Sequence, residues 1–300
     1  MTCQTAPMIT RLQIPADDGH LVSVEVSGVG PTVLIVPPGG ADASTWRSTA
    51  TSLSTWFRVA VVQRRIYEPE AFISLPHTMD REMRDVITVA RHMGPAVVGV
   101  GHSSGAVALL VAAEACPSVF RQLILYEPPV PMVTPVGGDS STMARDALKR
   151  GDASEALRIH LEQIVQLPAS VVAHIMNDRR LSGGMLSYLP AQLADTESID
   201  ALVIGRQRFS AMTIPTVLLE GALSPSHLRV RSELLFRRLP AVSRRVMQGE
   251  SHAANLSSPA ELAALIRDVV STSSTVYGHE HPVGDREPAD VRSPPSCGGS

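Results

Sequence analysis

The stretch from Ala96 to Ala115 constrains this chain most. A β-rich segment, Ala96-Val97-Val98-Gly99-Val100, passes into a helical segment, Ala106–Ala115, through only Gly101-His102-Ser103-Ser104-Gly105. A turn this sharp leaves no room for side chains two positions either side of its apex, because they would strike the adjoining strand or helix. Gly101 and Gly105 meet that demand around Ser103. A Gly-x-Ser-x-Gly pattern between a strand and a helix exposes its serine hydroxyl. It also places that serine at a helix N-terminus, where unpaired N–H groups and the helix dipole favour developing negative charge. Ser103 is therefore the candidate nucleophile.

The remainder of the chain repeats the strand-then-helix alternation, which predicts an α/β fold with a mostly parallel, doubly wound, eight-stranded sheet. Residues 9–14 and 21–27 flank the turn signal Asp17-Asp18-Gly19 and predict an antiparallel opening hairpin. Val33–Val36, Val59–Val62, Ala96–Val100, Leu123–Tyr126, Thr216–Glu220 and Arg245–Gln248 are short, mostly β-branched runs, as strands buried on both faces should be. Helical patterns fall at 43–54, 79–93, 104–115, 226–238 and 259–271, the last opening on Ser258-Pro259. The alternation stops between Pro128 and Met212, where helical segments appear at 141–150, 152–166 and 168–179, too long a stretch for a simple connection. The expected organisation is a core of residues 1–130 and 213–271, an inserted helical cap over 131–212, and a disordered tail over 272–300 rich in Ser, Pro and Gly. In such sheets the site lies at the carboxyl ends of the strands, so residues just after each strand are the ones to weigh.

Composition narrows the function classes. A net charge of −3 with scattered Arg gives no basic surface for tracking phosphates, so nucleic acid is not an expected partner. Cys3, Cys116 and Cys297 are far apart and odd in number, which fits a reducing compartment rather than a disulfide framework or thiolate metal site. The N-terminal residues lack the basic and apolar regions of a secretory signal. The longest apolar run, Ala106–Ala113, falls short of the roughly 20 residues that span a bilayer. These features predict a cytoplasmic protein with no membrane partner. No phosphate-binding glycine fingerprint or metal-ligand spacing is present, so neither cofactor nor metal is expected. The oligomeric state stays open, a homodimer included.

The elbow around Ser103, together with Val33-Leu34-Ile35-Val36-Pro37-Pro38-Gly39-Gly40 and the later Trp46, resembles the α/β-hydrolase superfamily over most of residues 9–271. The family usually reads His-Gly where this chain has Pro38-Gly39. The resemblance implies an oxyanion hole built from a backbone N–H of this loop, Gly40 or its neighbour Gly39, and from the N–H of Ser104. It also implies a histidine base after the last strand. His252, in Gln248-Gly249-Glu250-Ser251-His252-Ala253-Ala254, occupies that loop. The remaining histidines fall in a hairpin, in helical stretches or in the tail, and His102 is directed away from Ser103 by the turn. Family members commonly place the triad acid after the seventh strand, but that loop reads Gly221-Ala222-Leu223-Ser224-Pro225, with Ser224 in the carboxylate's position. Some members, certain haloalkane dehalogenases among them, take the acid from the end of strand six. There this chain has Glu127, with Glu220 and Glu250 as rivals.

Ser103, His252 and Glu127 thus predict acyl transfer through an acyl-enzyme. Met132, Met143, Met176, Met185, Tyr188 and nearby leucines of the cap, with Gly39 and Trp46 of the core, are candidate substrate-lining residues for a medium-sized apolar ester, thioester or lactone. The same cap residues could equally form the cap's own core. Three functions compete: a serine hydrolase, an acyltransferase or cyclase of specialised metabolism on the same scaffold, and a ligand-binding pseudoenzyme.

Overall fold

A computed structural model describes residues 8–68, 76–202 and 208–276. The chain opens with β1 (Thr10–Pro15) and β2 (Leu21–Ser27), joined as an antiparallel hairpin. Gly19 takes φ 84° in that turn, and the Asp18 carboxylate accepts the His20 N–H. Next come β3 (Thr32–Val36), a 3₁₀ turn at Ala43–Trp46, α1 (Arg47–Leu53), β4 (Arg58–Val62), α2 (Met79–Met93), β5 (Val97–His102), α3 (Ser104–Ala115) and β6 (Phe120–Tyr126). Between β6 and the next strand lie α4 (Gly138–Lys149), α5 (Ala153–Ile159), α6 (Ala169–Asn177) and α7 (Arg179–Asp200). The core resumes with β7 (Thr216–Gly221), α8 (Ser226–Phe236), β8 (Val242–Met247), α9 (Ala254–Ser257) and α10 (Pro259–Val276).

The strands form one eight-stranded sheet in the order β1-β2-β4-β3-β5-β6-β7-β8. β1 and β2 are antiparallel to their neighbours, and all pairings from β4 to β8 are parallel. Apolar side chains alternate between two cores, one on each face. Leu34, Ala60 and Leu123 face α2 and α3, whereas Ile35, Val61 and Ile124 face α1 and α10. Central β5 is buried along its whole length, and Gly99 on it lets the Leu109 side chain of α3 come close. Helix α3 is apolar on every side and buried from Ser104 to Ala113, as a helix enclosed by sheet and neighbours must be. No described helix is long and apolar enough to cross a membrane.

Several sequence expectations need correction. β8 starts at Val242 rather than Arg245, and it is a half-exposed edge strand instead of one buried on both faces, because no strand covers its outer side. The pattern at 43–54 is a 3₁₀ turn followed by a short α-helix, with the Asp42 carboxylate accepting the Ser44 N–H at its start. The segment expected as one helix over 152–166 leaves α geometry at His160 and runs as a π turn to Ile164. The long helix α7 lies beyond the cap's expected helical segments, which end at 179. α10 continues to Val276, past the expected tail boundary at 272, since Val269 and Val270 are still buried and Thr272 satisfies its hydroxyl on the Asp268 carbonyl. Residues 277–300, the rest of that expected tail, lie outside the described residues.

Candidate active site

The elbow is where the sequence places it. β5 ends at His102, α3 begins at Ser104, and Ser103 between them adopts φ 53°, ψ −126°. A non-glycine residue in that region costs on the order of 1–3 kcal/mol, so the surrounding structure must enforce it. The enforcing contacts are close-packed backbone. A Cβ on Gly101 would lie 2.5 Å from the Ala106 Cα, and one on Gly105 would lie 2.1 Å from the Pro37 carbonyl oxygen. The Ser103 N–H donates to the Tyr126 carbonyl at 2.8 Å, which ties the apex of the elbow to the end of β6.

Glu127 follows Tyr126 and is a second strained residue, at φ 46°. Its carboxyl group is fully buried and fully engaged. Oε1 accepts the Gly221 N–H at 2.8 Å, and Oε2 accepts from Nδ1 of His252 at 2.5 Å. This bond places the imidazole proton on Nδ1 and leaves Nε2 as the acceptor. The rival carboxylates are committed elsewhere. Glu220 accepts the Ser232 hydroxyl at 2.6 Å and pairs with Arg244, and Glu250 accepts the hydroxyls of Ser257 and Ser258 at 2.5 Å. Ser224 is buried, and its hydroxyl has no hydrogen-bond partner among the described residues.

The loop bearing His252 is held at several points. The Tyr126 hydroxyl donates to the Ser251 carbonyl and accepts the Ala254 N–H at 3.3 Å. The buried Asn255 amide donates to the Thr45 carbonyl at 3.1 Å. His102 is the central member: its ring stacks on Tyr126 with centroids 4.4 Å apart, meets the His252 ring at 4.7 Å, and donates Nε2–H to the His252 carbonyl at 2.9 Å. Burial, reinforced by His252 nearby, pushes the His102 imidazole well below its ordinary pKa, so this ring is neutral. Burial, aided by Arg231 and His252, similarly lowers His227 to about 4.

Gly40, the expected oxyanion donor, has φ 85°, a conformation that favours glycine, and the Gln192 side chain of α7 lies against it. Ser104 is the first residue of α3, so its N–H is among those with no partner within the helix. Beneath these groups lies a charged cluster that no sequence motif marks. The wholly buried Arg64 guanidinium donates Nη1–H to the Ser104 hydroxyl at 2.7 Å, Nη2–H to Asp195 at 2.7 Å and Nε–H to Glu82 at 2.8 Å. The Tyr67 hydroxyl donates to the other Asp195 oxygen at 2.9 Å, and His77 Nε2 lies 3.3 Å from Glu82. Burial opposes the Arg64 charge, but Asp195, Glu82 and Tyr67 together outweigh it and hold the guanidinium ionised; burial likewise opposes the Asp195 charge, and Arg64 and His77 together outweigh it and lower that carboxyl. The available signal was position: Arg64 lies two residues past the end of β4, where site residues of such sheets gather.

The proposed lining residues do not all face the site. Trp46 is wholly buried, edge-on to the His102 ring at 5.7 Å, because the 3₁₀ turn points it into the sheet core. Met132 is half-buried against the core of the α2–α3 face, Met185 packs in the cap's own core, and Tyr188 packs by Tyr67. Gly39 faces the charged cluster, where a Cβ would lie 2.6 Å from the Tyr67 hydroxyl. Among the described residues no group of three or more His, Cys, Asp or Glu is disposed to hold a metal ion.

Comparison with known proteins agrees with this architecture. A search of curated protein sequences finds no match. Among solved structures, an alpha/beta hydrolase from Sphaerobacter thermophilus superposes with a TM-score of 0.71 at 24% identity, covering 85% of this chain and 99% of that one. A thermophilic esterase from Thermogutta terrifontis gives 0.68 at 20% identity over 88% and 98% of the two chains. An esterase from Exiguobacterium antarcticum gives 0.69 at 16% identity over 87% and 100%. At these identities the likeness establishes the fold. The family model of the alpha/beta hydrolase family matches residues 33–265, which include the elbow, the buried glutamate and the base loop, and the chain belongs to that family.

Proposed function

We propose that this protein is a serine-dependent hydrolase that cleaves a medium-sized apolar ester, thioester or lactone through an acyl-enzyme on Ser103. One observation carries the reading: the fully buried Glu127 holds Nδ1–H of His252 at 2.5 Å, beside a strained serine elbow. A buried carboxylate that fixes the tautomer leaves Nε2 free to take a proton, as in the triad mechanism. In the first step Ser103 Oγ bonds to the carbonyl carbon while its proton passes to His252 Nε2. The N–H groups of Ser104 and Gly40 receive the oxyanion, each worth on the order of 3 kcal/mol of barrier. Collapse breaks the bond to the leaving group, which takes the proton from His252. Water, deprotonated by the same nitrogen, then attacks the acyl carbon and regenerates Ser103. The esterase neighbours support a carboxylic-ester substrate.

A serine-directed fluorophosphonate, read by intact mass and peptide mapping, tests the chemistry: one adduct on Ser103 is expected, and none overturns the proposal. p-Nitrophenyl esters of graded acyl length then define the substrate, with free acid as the sole acyl product. A new ester on addition of alcohols would assign acyl transfer instead.

A further inference from the structure

The buried charged cluster lies outside the proposed triad, yet it supports both halves of the proposed oxyanion hole. Arg64 grips the hydroxyl of Ser104, the residue whose N–H forms one half. On the other half, a Cβ on Gly39 would lie 2.6 Å from the Tyr67 hydroxyl, 3.2 Å from the Ser104 hydroxyl and 3.3 Å from Asp195 Oδ2, so the loop rests directly on the cluster. The Gln63 side chain ties the same loop down by accepting the Ala43 N–H at 2.9 Å while donating to the Tyr67 carbonyl at 2.8 Å. One carboxylate of the cluster does not belong to the core. Asp195 comes from α7, inserted between β6 and β7, and Gln192, about one turn earlier on that helix, lies against Gly40. A guanidinium with three hydrogen-bonded partners in a dry site has a single geometry, because moving one partner leaves a buried charge uncompensated.

We infer that Arg64 and Asp195 are positioning residues through which the seating of α7 sets the oxyanion-binding N–H groups of Ser104 and Gly40. The inference rests on the proposed acyl-enzyme chemistry. With α7 docked, Asp195 orients Arg64, and Arg64 fixes Ser104. If α7 lifts, the Arg64 fork loses a partner, Gly39 loses its floor and Gly40 loses Gln192, so the hole loosens on both sides. A misplacement of about 1 Å at a reacting centre can cost on the order of 100-fold in rate.

The test is Asp195→Asn in the full chain, with p-nitrophenyl ester turnover expressed per reactive Ser103. Reactive sites are counted by fluorophosphonate labelling taken to completion, in which Ser103 Oγ bonds to phosphorus, fluoride leaves and the serine proton is released. A fall in kcat per labelled site of 10- to 100-fold, with KM within about threefold, is expected, as is a similar fall in Arg64→Lys, whose compact ammonium cannot reproduce the planar fork that reaches Ser104, Asp195 and Glu82 from three separate nitrogens. A purely structural role would lower the number of labelled sites and leave kcat per site intact. That result, with kcat per site within twofold of the parent, overturns the inference. Ser104→Ala decides the matter where Asp195→Asn does not fold: it leaves the Arg64–Asp195 pair, deletes only the gripped hydroxyl, and should lower kcat per site at least fivefold. An unlabelled, inactive parent protein would instead refute the acyl-enzyme reading itself.

Discussion

The Glu127 carboxylate and the His252 imidazole meet at 2.5 Å although 125 residues separate them, and the Glu127 side chain is wholly shielded from water. Two supports hold it: the Gly221 N–H occupies the other carboxylate oxygen, and the Tyr126 hydroxyl holds the backbone just before His252. Glu127→Gln should therefore lower kcat by roughly 10³- to 10⁴-fold, as expected when the group orienting a triad histidine loses its charge. Glu220→Gln should leave kcat per reactive serine within about threefold and lower thermal stability, since Glu220 serves Ser232 and Arg244. Steady-state kinetics on both variants decides the matter, and the reverse pattern would assign the acid to Glu220.

His102 holds the His252 carbonyl from a ring stacked on Tyr126. His102→Phe keeps the stack and deletes the donor, leaving that carbonyl to find another partner. The expected cost is about tenfold in kcat/KM, roughly 1.4 kcal/mol, with little change in far-UV circular dichroism. Unchanged kinetics would show that the base loop needs no such tether.

Two glycines should respond oppositely to alanine. At Gly105 the new methyl would meet the Pro37 and Val36 carbonyl oxygens at 2.1 and 2.5 Å, and main chain cannot move aside cheaply. Gly105→Ala should cost about 3 kcal/mol or more by denaturant titration, because overpacking here is backbone on backbone. Gly183 lies inside α7 with open space around its Cα. Gly183→Ala should stabilise by about 0.5–1 kcal/mol through helix propensity and a more restricted unfolded chain. A lower melting temperature for Gly183→Ala would contradict this account of α7.

His160 sits in the π turn of the inserted segment, with neither ring nitrogen hydrogen-bonded among the described residues. Burial lowers its pKa from 6.5 to about 4. The unfolded chain then binds the proton more readily than the folded one, so stability is complete above pH 6.5 and falls as the pH drops toward 4. The full loss from this group amounts to about 3 kcal/mol. His160→Leu should flatten the dependence of melting temperature on pH over that window, though only in part, because His102 and His227 are lowered in the same direction. An unaltered slope would mean that His160 titrates normally.

Legibility followed the range of the forces involved. Helix α2 matches its sequence pattern at both ends, since its Thr78 cap, periodic apolar face and terminating Gly94 are all local, and α3 matches because the glycine-flanked turn fixes its start. Helix α7 has no clear local signal, because Gly183, Gly184 and Pro190 disfavour a helix. Burial of Leu189, Leu193, Ala194 and Ile199 overrides them.

The elbow around Ser103, the α/β alternation and the loop that carries His252 can be read along the chain, because small residues at a sharp turn and apolar periodicity are local features. It took the folded molecule to set Glu127, and not Glu220 or Glu250, against His252, to turn Trp46 inward, and to gather Arg64, Glu82 and Asp195 beside Ser104 and Gly39. Each of those outcomes depends on which distant groups arrive to share a buried charge or hydrogen bond. Partner choice in a dry interior belongs to the assembled fold and not to neighbours in sequence.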